Sequence, residues 1–242
     1  MKNKLYLLGL MSFGLILFAG QASALTVAQC GVFNDVAAND KNCEAIKYVY
    51  ERGIFGGYNI SKFQDGSVEF KPKQAIIRAE VLKVAIEAFT IMDIDPKDKL
   101  ITGDSFTFSD LKGWSNQWWF KYLKYAVSKQ IINGYKDGTF KPLSNVTRAE
   151  FLKIFLAASP KMADVNAIEI DGYNGLWADT APTDWFAKYI IYANQYGLFG
   201  DMGFCQSGSI CPNKDITRAE VAQLIYNYHK NLRADVGHPL LK

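Results

Sequence analysis

Apolar residues along this chain recur at helical spacing in short bursts, and turn-forming loops separate the bursts. Trp119, Tyr122, Leu123, Ala126 and Val127 fall three or four residues apart, which places them on one face of a helix. The next segment, Gly134-Tyr135-Lys136-Asp137-Gly138-Thr139-Phe140-Lys141-Pro142, contains a tight-turn Asp-Gly and a proline that blocks a return to helix. A second helix is predicted from Thr147, with Leu152, Phe155 and Leu156 as its buried stripe and Pro160 past its end.

This arrangement occurs three times. Thr147-Arg148-Ala149-Glu150 recurs as Thr217-Arg218-Ala219-Glu220 and, with one change, as Ile77-Arg78-Ala79-Glu80, and successive arginines are 70 residues apart. Phe33-Asn34-Asp35, Phe108-Ser109-Asp110 and Trp177-Ala178-Asp179 open the three units. Gly53-Ile54-Phe55-Gly56, Gln130-Ile131-Ile132-Asn133 and Gly197-Leu198-Phe199-Gly200 close the first amphipathic segment of each. Each unit thus reads as aromatic-x-Asp, helix, Gly-rich loop, helix. Helices this short are marginal alone, so the units are expected to pack around a shared centre. The expected boundaries are 25–90, 108–159 and 177–232 for the units, 91–107 and 160–176 for surface linkers, and 233–242 for a C-terminal tail.

The N-terminus sets the compartment. Lys2 and Lys4 precede an apolar run from Leu5 to Ala19, and Ala22-Ser23-Ala24 has the pattern of a cleavage site, so residues 1–24 read as a secretory signal peptide. A retained anchor is the rival reading, but a spanning helix needs about 20 apolar residues, and Gly20-Gln21 cuts this run short. No cysteine stands at the cleavage point for a lipid, and no membrane span is expected after cleavage. Loss of Lys2 and Lys4 lowers the formal net charge from +3 to +1. A chain so near neutrality has no global field to draw it onto nucleic acid or an anionic membrane. The four cysteines form two close pairs, Cys30 with Cys43 and Cys205 with Cys211. In an exported chain this suggests two disulfides. Zinc is the alternative, but the only histidines are His229 and His238 and neither pair has CxxC spacing.

These residues resemble the S-layer-homology family. Its pattern is an aromatic-x-Asp start, a Trp at the first helix, a Gly-Tyr-x-Asp-Gly-Thr-Phe-x-Pro loop and a Thr-Arg-Ala-Glu second helix. The second unit carries nearly all of it in Phe108, Asp110, Trp118, Gly134 to Pro142 and Thr147 to Glu150. The third keeps Trp177, Asp179, Trp185 and Thr217 to Glu220, with its loop rebuilt around Cys205 and Cys211. The first diverges most: Lys41 stands at the Trp position, Ile77 replaces Thr, and the loop has two extra residues. The resemblance implies an all-α fold of three helix-loop-helix repeats packed as a pseudo-threefold helical bundle. It also implies non-covalent anchoring to the cell wall, through anionic secondary polymers that often carry pyruvate ketals, held in grooves between repeats. Some relatives in bacteria with two membranes bind a peptidoglycan-linked polymer instead.

The repeated residues suit such a ligand. Thr147 with Glu150, and Thr217 with Glu220, form capping boxes. Arg78, Arg148 and Arg218 do not fit a purely structural account, because the helix dipole disfavours a cation in the first turn. The free N–H groups of that turn attract anions, and a guanidinium beside them offers a fork for a carboxylate. The alternative is that each arginine pairs with Asp35, Asp110 or Asp179 of a neighbouring unit. Those aspartates either accept sugar hydroxyls or, lying ahead of the first helix, cap it or fix the turn. Trp118 and Trp185 serve as core or as flat faces for a sugar ring, and Tyr135 and Tyr58 are more exposed candidates for sugar contact. Ile77 removes a capping hydroxyl, so the Arg78 groove is expected to be altered or the weakest of the three.

Catalysis is not expected, since no Ser-His-Asp or Cys-His set is evident, and neither is a cofactor. No metal is expected either: Asp93-Ile94-Asp95-Pro96-Lys97-Asp98 clusters carboxylates but lacks the Gly and closing Glu of an EF-hand. The serious rival is a scaffold for another envelope protein, or an S-layer-associated assembly component, that keeps the fold without binding polymer. Either role places the protein outside the cytoplasm, at the cell wall or S-layer or in a periplasm.

Overall fold

The computed structural model describes residues 28–59, 68–89, 108–170, 177–203, 205 and 208–232. The expected signal peptide, the expected 91–107 linker with its Asp93–Asp98 cluster, and the expected 233–242 tail lie outside the described residues.

Each unit contributes a first and a second helix. The first helices are α1 (Cys43–Glu51), α3 (Phe120–Ser128) and α6 (Ala187–Gln195), and the second are α2 (Arg78–Glu87), α4 (Arg148–Ala158) and α7 (Arg218–Leu232). The apolar faces read from the sequence are buried: Trp119, Tyr122, Leu123 and Ala126 on the first helix of the second unit, Leu152, Phe155 and Leu156 on its second. The units interlock, because each second helix packs on the first helix of another unit: α2 on α3, α4 on α6, and α7 on α1.

The second helices are joined at both ends. At their N-terminal ends the backbone closes a ring. Ile76 N donates to Ile216 O at 3.1 Å, Ile216 N to Val146 O at 2.9 Å, and Val146 N to Ile76 O at 3.2 Å. At the other end Phe89, Phe155 and Tyr228 meet as a triangle of rings, with centroids 4.9, 5.0 and 5.3 Å apart.

The all-α expectation is overturned. A four-stranded mixed sheet lies on the first unit, built from β1 (Gln29–Cys30), β2 (Phe33–Ala37), β3 (Tyr58–Asn59) and β4 (Val68–Glu69) in the order β1-β2-β4-β3. The β1–β2 and β3–β4 pairs are antiparallel and β2–β4 is parallel. Its strands were invisible to periodicity because they are too short to alternate, and the buried residues of β2, Phe33 and Val36, are three apart rather than two. The second linker also departs from a plain loop, since it carries the short helix α5 (Met162–Asn166) with Val165 buried. Both cysteine pairs are bonded, Cys30–Cys43 and Cys205–Cys211. Among the described residues no helix is long and apolar enough to cross a membrane.

Two of the three capping boxes are complete. Glu150 N donates to Thr147 Oγ1 at 3.3 Å while Thr147 N donates to Glu150 Oε2 at 3.0 Å, and Thr217 with Glu220 repeats this at the same distances. Ile77 keeps only the return bond, its N–H to Glu80 at 3.4 Å. Thr147→Ala should therefore cost about 1 kcal/mol in urea unfolding; a loss under a few tenths would show the hydroxyl to be dispensable.

Candidate functional site

The loops are set by the aspartates of the aromatic-x-Asp motifs. Asp110 accepts from Phe140 N at 2.9 Å and Lys141 N at 2.7 Å. Asp35 does the same for Phe70 and Lys71, and Asp179 for Ile210 and Cys211. The second residue of each pair, Lys71, Lys141 or Cys211, has a φ between 49° and 58°. A side chain in that left-handed region costs roughly 1–2 kcal/mol, which the carboxylate clasp offsets. These bonds reach the loop ahead of the second helix, so the aspartates clasp that loop rather than cap the first helix or fix the turn before it. Gly134, at φ 72°, is required for another reason: a Cβ there would meet the Phe108 ring at 2.3 Å.

The first-turn N–H groups expected to attract an anion are already taken. Arg78 N, Arg148 N and Arg218 N donate to Ser144 O, Lys214 O and Gln74 O at 2.9–3.0 Å, and the alanines that follow donate to Pro142 O, Pro212 O and Pro72 O. Any anion must therefore be held by side chains.

The arginine side chains are buried, with exposures of 6% for Arg78 and 3% for both Arg148 and Arg218. Each reaches the loop of another unit. Arg218 donates from Nε to Phe70 O at 2.7 Å, from Nη2 to Gly56 O at 2.8 Å and from Nη1 to Tyr58 Oη at 3.2 Å. Arg148 donates from Nη1 to Ile210 O at 3.2 Å and Cys211 O at 3.4 Å, and forks onto Glu220 with Nη2 at 2.7 Å and Nε at 3.4 Å. The acid that pairs with it is thus a capping-box glutamate rather than one of the motif aspartates. Arg78 differs. Its guanidinium lies over the rings of Tyr135 and Phe140, at 4.7 and 5.2 Å, but Nε is buried and finds no hydrogen-bond partner among the described residues. Burial pulls Arg78 below the usual guanidinium range, against the nearby Tyr135 and Glu150. It stays a cation, as arginine does throughout proteins.

Arg78 lines a groove of about 520 Å³. Tyr135 and Lys136 from the second unit's loop, Glu150 and Lys153 from α4, and Trp185 and Tyr189 from the third unit form its walls, with Ile131, Ile154 and Met162 as apolar lining. Tyr135 donates to Glu150 Oε1 at 3.0 Å, and burial raises the Tyr135 hydroxyl above its ordinary range. Trp185 is 54% exposed, and Lys153 Nζ stands 5.5 Å from its ring centroid. The Arg78 groove, expected to be altered or weakest, is the one where an arginine retains bonding capacity. Trp118 is also exposed, at 52%, and in the first unit Lys83 is spent on Ile54 O at 3.2 Å and Gly53 O at 3.4 Å. Lys153 was not singled out in the sequence, although it recurs at the same 70-residue interval as Lys83 and Gln223.

The sequence profile of the S-layer homology domain matches residues 32–82, 107–152 and 178–222, most of the described chain. The chain belongs to the S-layer homology domain family. It is 34% identical over 132 residues to the cellulosome-anchoring protein of Acetivibrio thermocellus, covering 54% of this chain and 25% of that protein. It is 26% identical over 159 residues to the surface-layer 125 kDa protein of Lysinibacillus sphaericus, covering 61% of this chain and 12% of that one. A third relative, endo-1,4-beta-xylanase A of Thermoanaerobacterium saccharolyticum, is 31% identical over 117 residues, 48% of this chain and 9% of its own length. The chain thus spans a quarter or less of these relatives.

The unequal bonding of the arginines predicts unequal costs. Arg148→Met orphans two carbonyls and a carboxylate, so it should destabilise by about 2–3 kcal/mol more than Arg78→Met in urea unfolding. Equal losses would mean that Arg78 is as fully bonded as Arg148. In the same groove loop, Asp137 accepts from the Thr139 hydroxyl and from Lys141 Nζ at 2.9 Å, which holds its carboxyl down at about 2. A lowered acid stabilises the fold above its ordinary value of 3.8, and that contribution is lost as pH falls through about 2. Carboxyl carbon NMR should place the Asp137 midpoint there, and Thr139→Val should move it back toward the ordinary value.

Proposed function

We propose that this chain anchors itself non-covalently to the bacterial envelope by holding an anionic cell-wall polysaccharide, or a peptidoglycan-linked polymer, in the groove floored by Arg78. The observation that carries the reading is that Arg78, whose buried Nε has no hydrogen-bond partner among the described residues, lines an open groove. A buried donor left unsatisfied costs about 1–3 kcal/mol, and a small turn of the guanidinium onto a ligand carboxylate in the groove would relieve that cost. The rest of the groove suits a sugar acid: Trp185 offers a flat face, Tyr135 and Glu150 offer a hydroxyl and a carboxylate for sugar hydroxyls, and Lys136 and Lys153 add positive charge.

Charge supports the same groove. Residues 108–159 hold eight Lys and Arg against three Asp and Glu, a formal +5, whereas 25–90 balance and 177–232 carry −1. A near-neutral protein thereby gathers its positive field around one unit. The anchoring and surface-layer names of its relatives agree with this role, and they favour a secreted protein at the cell wall or S-layer, or in a periplasm.

Sedimentation tests it. Purified residues 25–242 should pellet with sacculi of the source bacterium and remain soluble once the secondary polymer has been chemically stripped. Arg78→Met and Trp185→Ala should each weaken binding tenfold or more, and rising salt should weaken it further. Retention in the supernatant with both preparations would leave the groove to a protein partner and favour the scaffold reading.

A further inference from the structure

We propose that Glu220 is an internal substitute for the ligand carboxylate, which keeps the groove at Arg148 shut and leaves the chain with a single polymer site at Arg78. This rests on the Arg78 groove being the polymer site.

The inference begins with one substitution. Tyr135 of the second unit and Tyr58 of the first stand at the same loop position, and each donates its hydroxyl to the glutamate of its own unit: Tyr135 to Glu150 at 3.0 Å and Tyr58 to Glu80 at 2.8 Å. The third unit has Met202 there. With no hydroxyl to hold it, Glu220 turns Oε1 onto Arg148 Nη2 at 2.7 Å, while Oε2 caps Thr217 N at 3.0 Å and faces Arg148 Nε at 3.4 Å. A planar guanidinium gripping both oxygens of one carboxylate is the contact a ligand acid would make. Here the acid is part of the chain, at an effective concentration on the order of millimolar or above, so a dilute ligand does not displace it.

The surroundings agree. Two cavities occupy the place that corresponds to the Arg78 groove, and both are lined by Met202 and Lys41, but Arg148 lines neither. Lys41 also replaces the tryptophan that walls the open groove. The remaining arginine, Arg218, is held by two backbone carbonyls and Tyr58, with Glu80 Oε1 a further 3.9 Å from Nη1, so the tyrosine stands between it and its glutamate, whereas Glu220 grips Arg148 directly at 2.7 Å. One groove of three is left with a guanidinium to offer.

The test uses sodium glucuronate as a carboxylated sugar probe at constant ionic strength, read by NMR on the mature chain. The Trp185 indole N–H reports the Arg78 groove, and the Ile210 methyl, next to the carbonyl that Arg148 binds, reports the other. In the unmodified chain the Trp185 signal should shift saturably and the Ile210 signal should not. Glu220→Gln keeps the capping box, for which glutamine serves, but removes the charge. It should make Ile210 shift saturably, with an affinity within about tenfold of that at Trp185, where tenfold is 1.4 kcal/mol. Adding Arg148→Met should abolish the new shift. If Glu220→Gln does not fold, Met202→Tyr, which gives Glu220 a hydroxyl to hold, should produce the same gain more weakly. A saturable Ile210 shift in the unmodified chain overturns the inference, as does a folded Glu220→Gln whose Ile210 signal stays still. A silent Trp185 signal, by contrast, counts against the Arg78 groove itself, and the Ile210 response to Glu220→Gln still reports on the latch.

Discussion

Each of the three backbone bonds in the ring of Ile76, Val146 and Ile216 joins a different pair of units, so no unit can supply its own. All three residues are fully buried, and buried backbone groups left unpaired cost about as much as a lost hydrogen bond. The ring therefore forms complete or at a penalty, and it fixes the starting points of α2, α4 and α7 together. The aromatic triangle of Phe89, Phe155 and Tyr228 secures the far ends of the same helices. With both ends fixed, the first helices have one place left to bury their apolar faces, against the second helix of another unit.

The ring also decides what kind of binding site the protein can have. By bringing the loop carbonyls of Ser144, Lys214 and Gln74 onto the first turns, it saturates the N–H groups that commonly hold anions at helix starts. A negative ligand, as proposed, would have to be held by the side chains. Each arginine is planted at the first helical position and sent across a unit boundary, so its bonding depends on the loop it enters rather than on its own helix. Small changes in that loop then decide whether a guanidinium is consumed or kept free. A methionine in place of a tyrosine turns a glutamate onto Arg148, while Arg78 settles over two rings and keeps Nε unpaired.

Much of this was legible in the sequence, for definite reasons. The helices were, because Trp119 to Val127 and Leu152 to Leu156 repeat at helical spacing and each copy checks the others. The disulfide pairs were, because two local cysteine pairs in an exported chain leave few options. The sheet was not, since strands of two to five residues show no alternation and β2 meets β4 across a long loop. The clasping of the later loop by Asp35, Asp110 and Asp179 was not among the roles read from the sequence, because their partners are backbone N–H groups about 30 residues away. The Arg148–Glu220 pair lies 72 residues apart, and both members already had local explanations, one as a ligand group and one as a cap.

The expectation that the Arg78 groove is altered or weakest meets the same distance between cause and effect. Loss of the Thr hydroxyl at Ile77 suggested damage to the groove beside it, as if a site belonged to the unit whose helix carries the arginine. The geometry assigns the site to the neighbours: the floor residue comes from the first unit, the loop and α4 from the second, and Trp185 from the third. A groove shared in this way is insulated from defects in the unit that supplies only its guanidinium. The first unit can lose its cap and gain a sheet, and the third can replace its loop with a disulfide, while the second stays closest to the family pattern and holds the positive charge. The unpaired Nε of Arg78 therefore comes from the most divergent unit but faces the loop of the unit closest to the family pattern and richest in positive charge, and the proposed site depends on that pairing of a first-unit guanidinium with a second-unit loop.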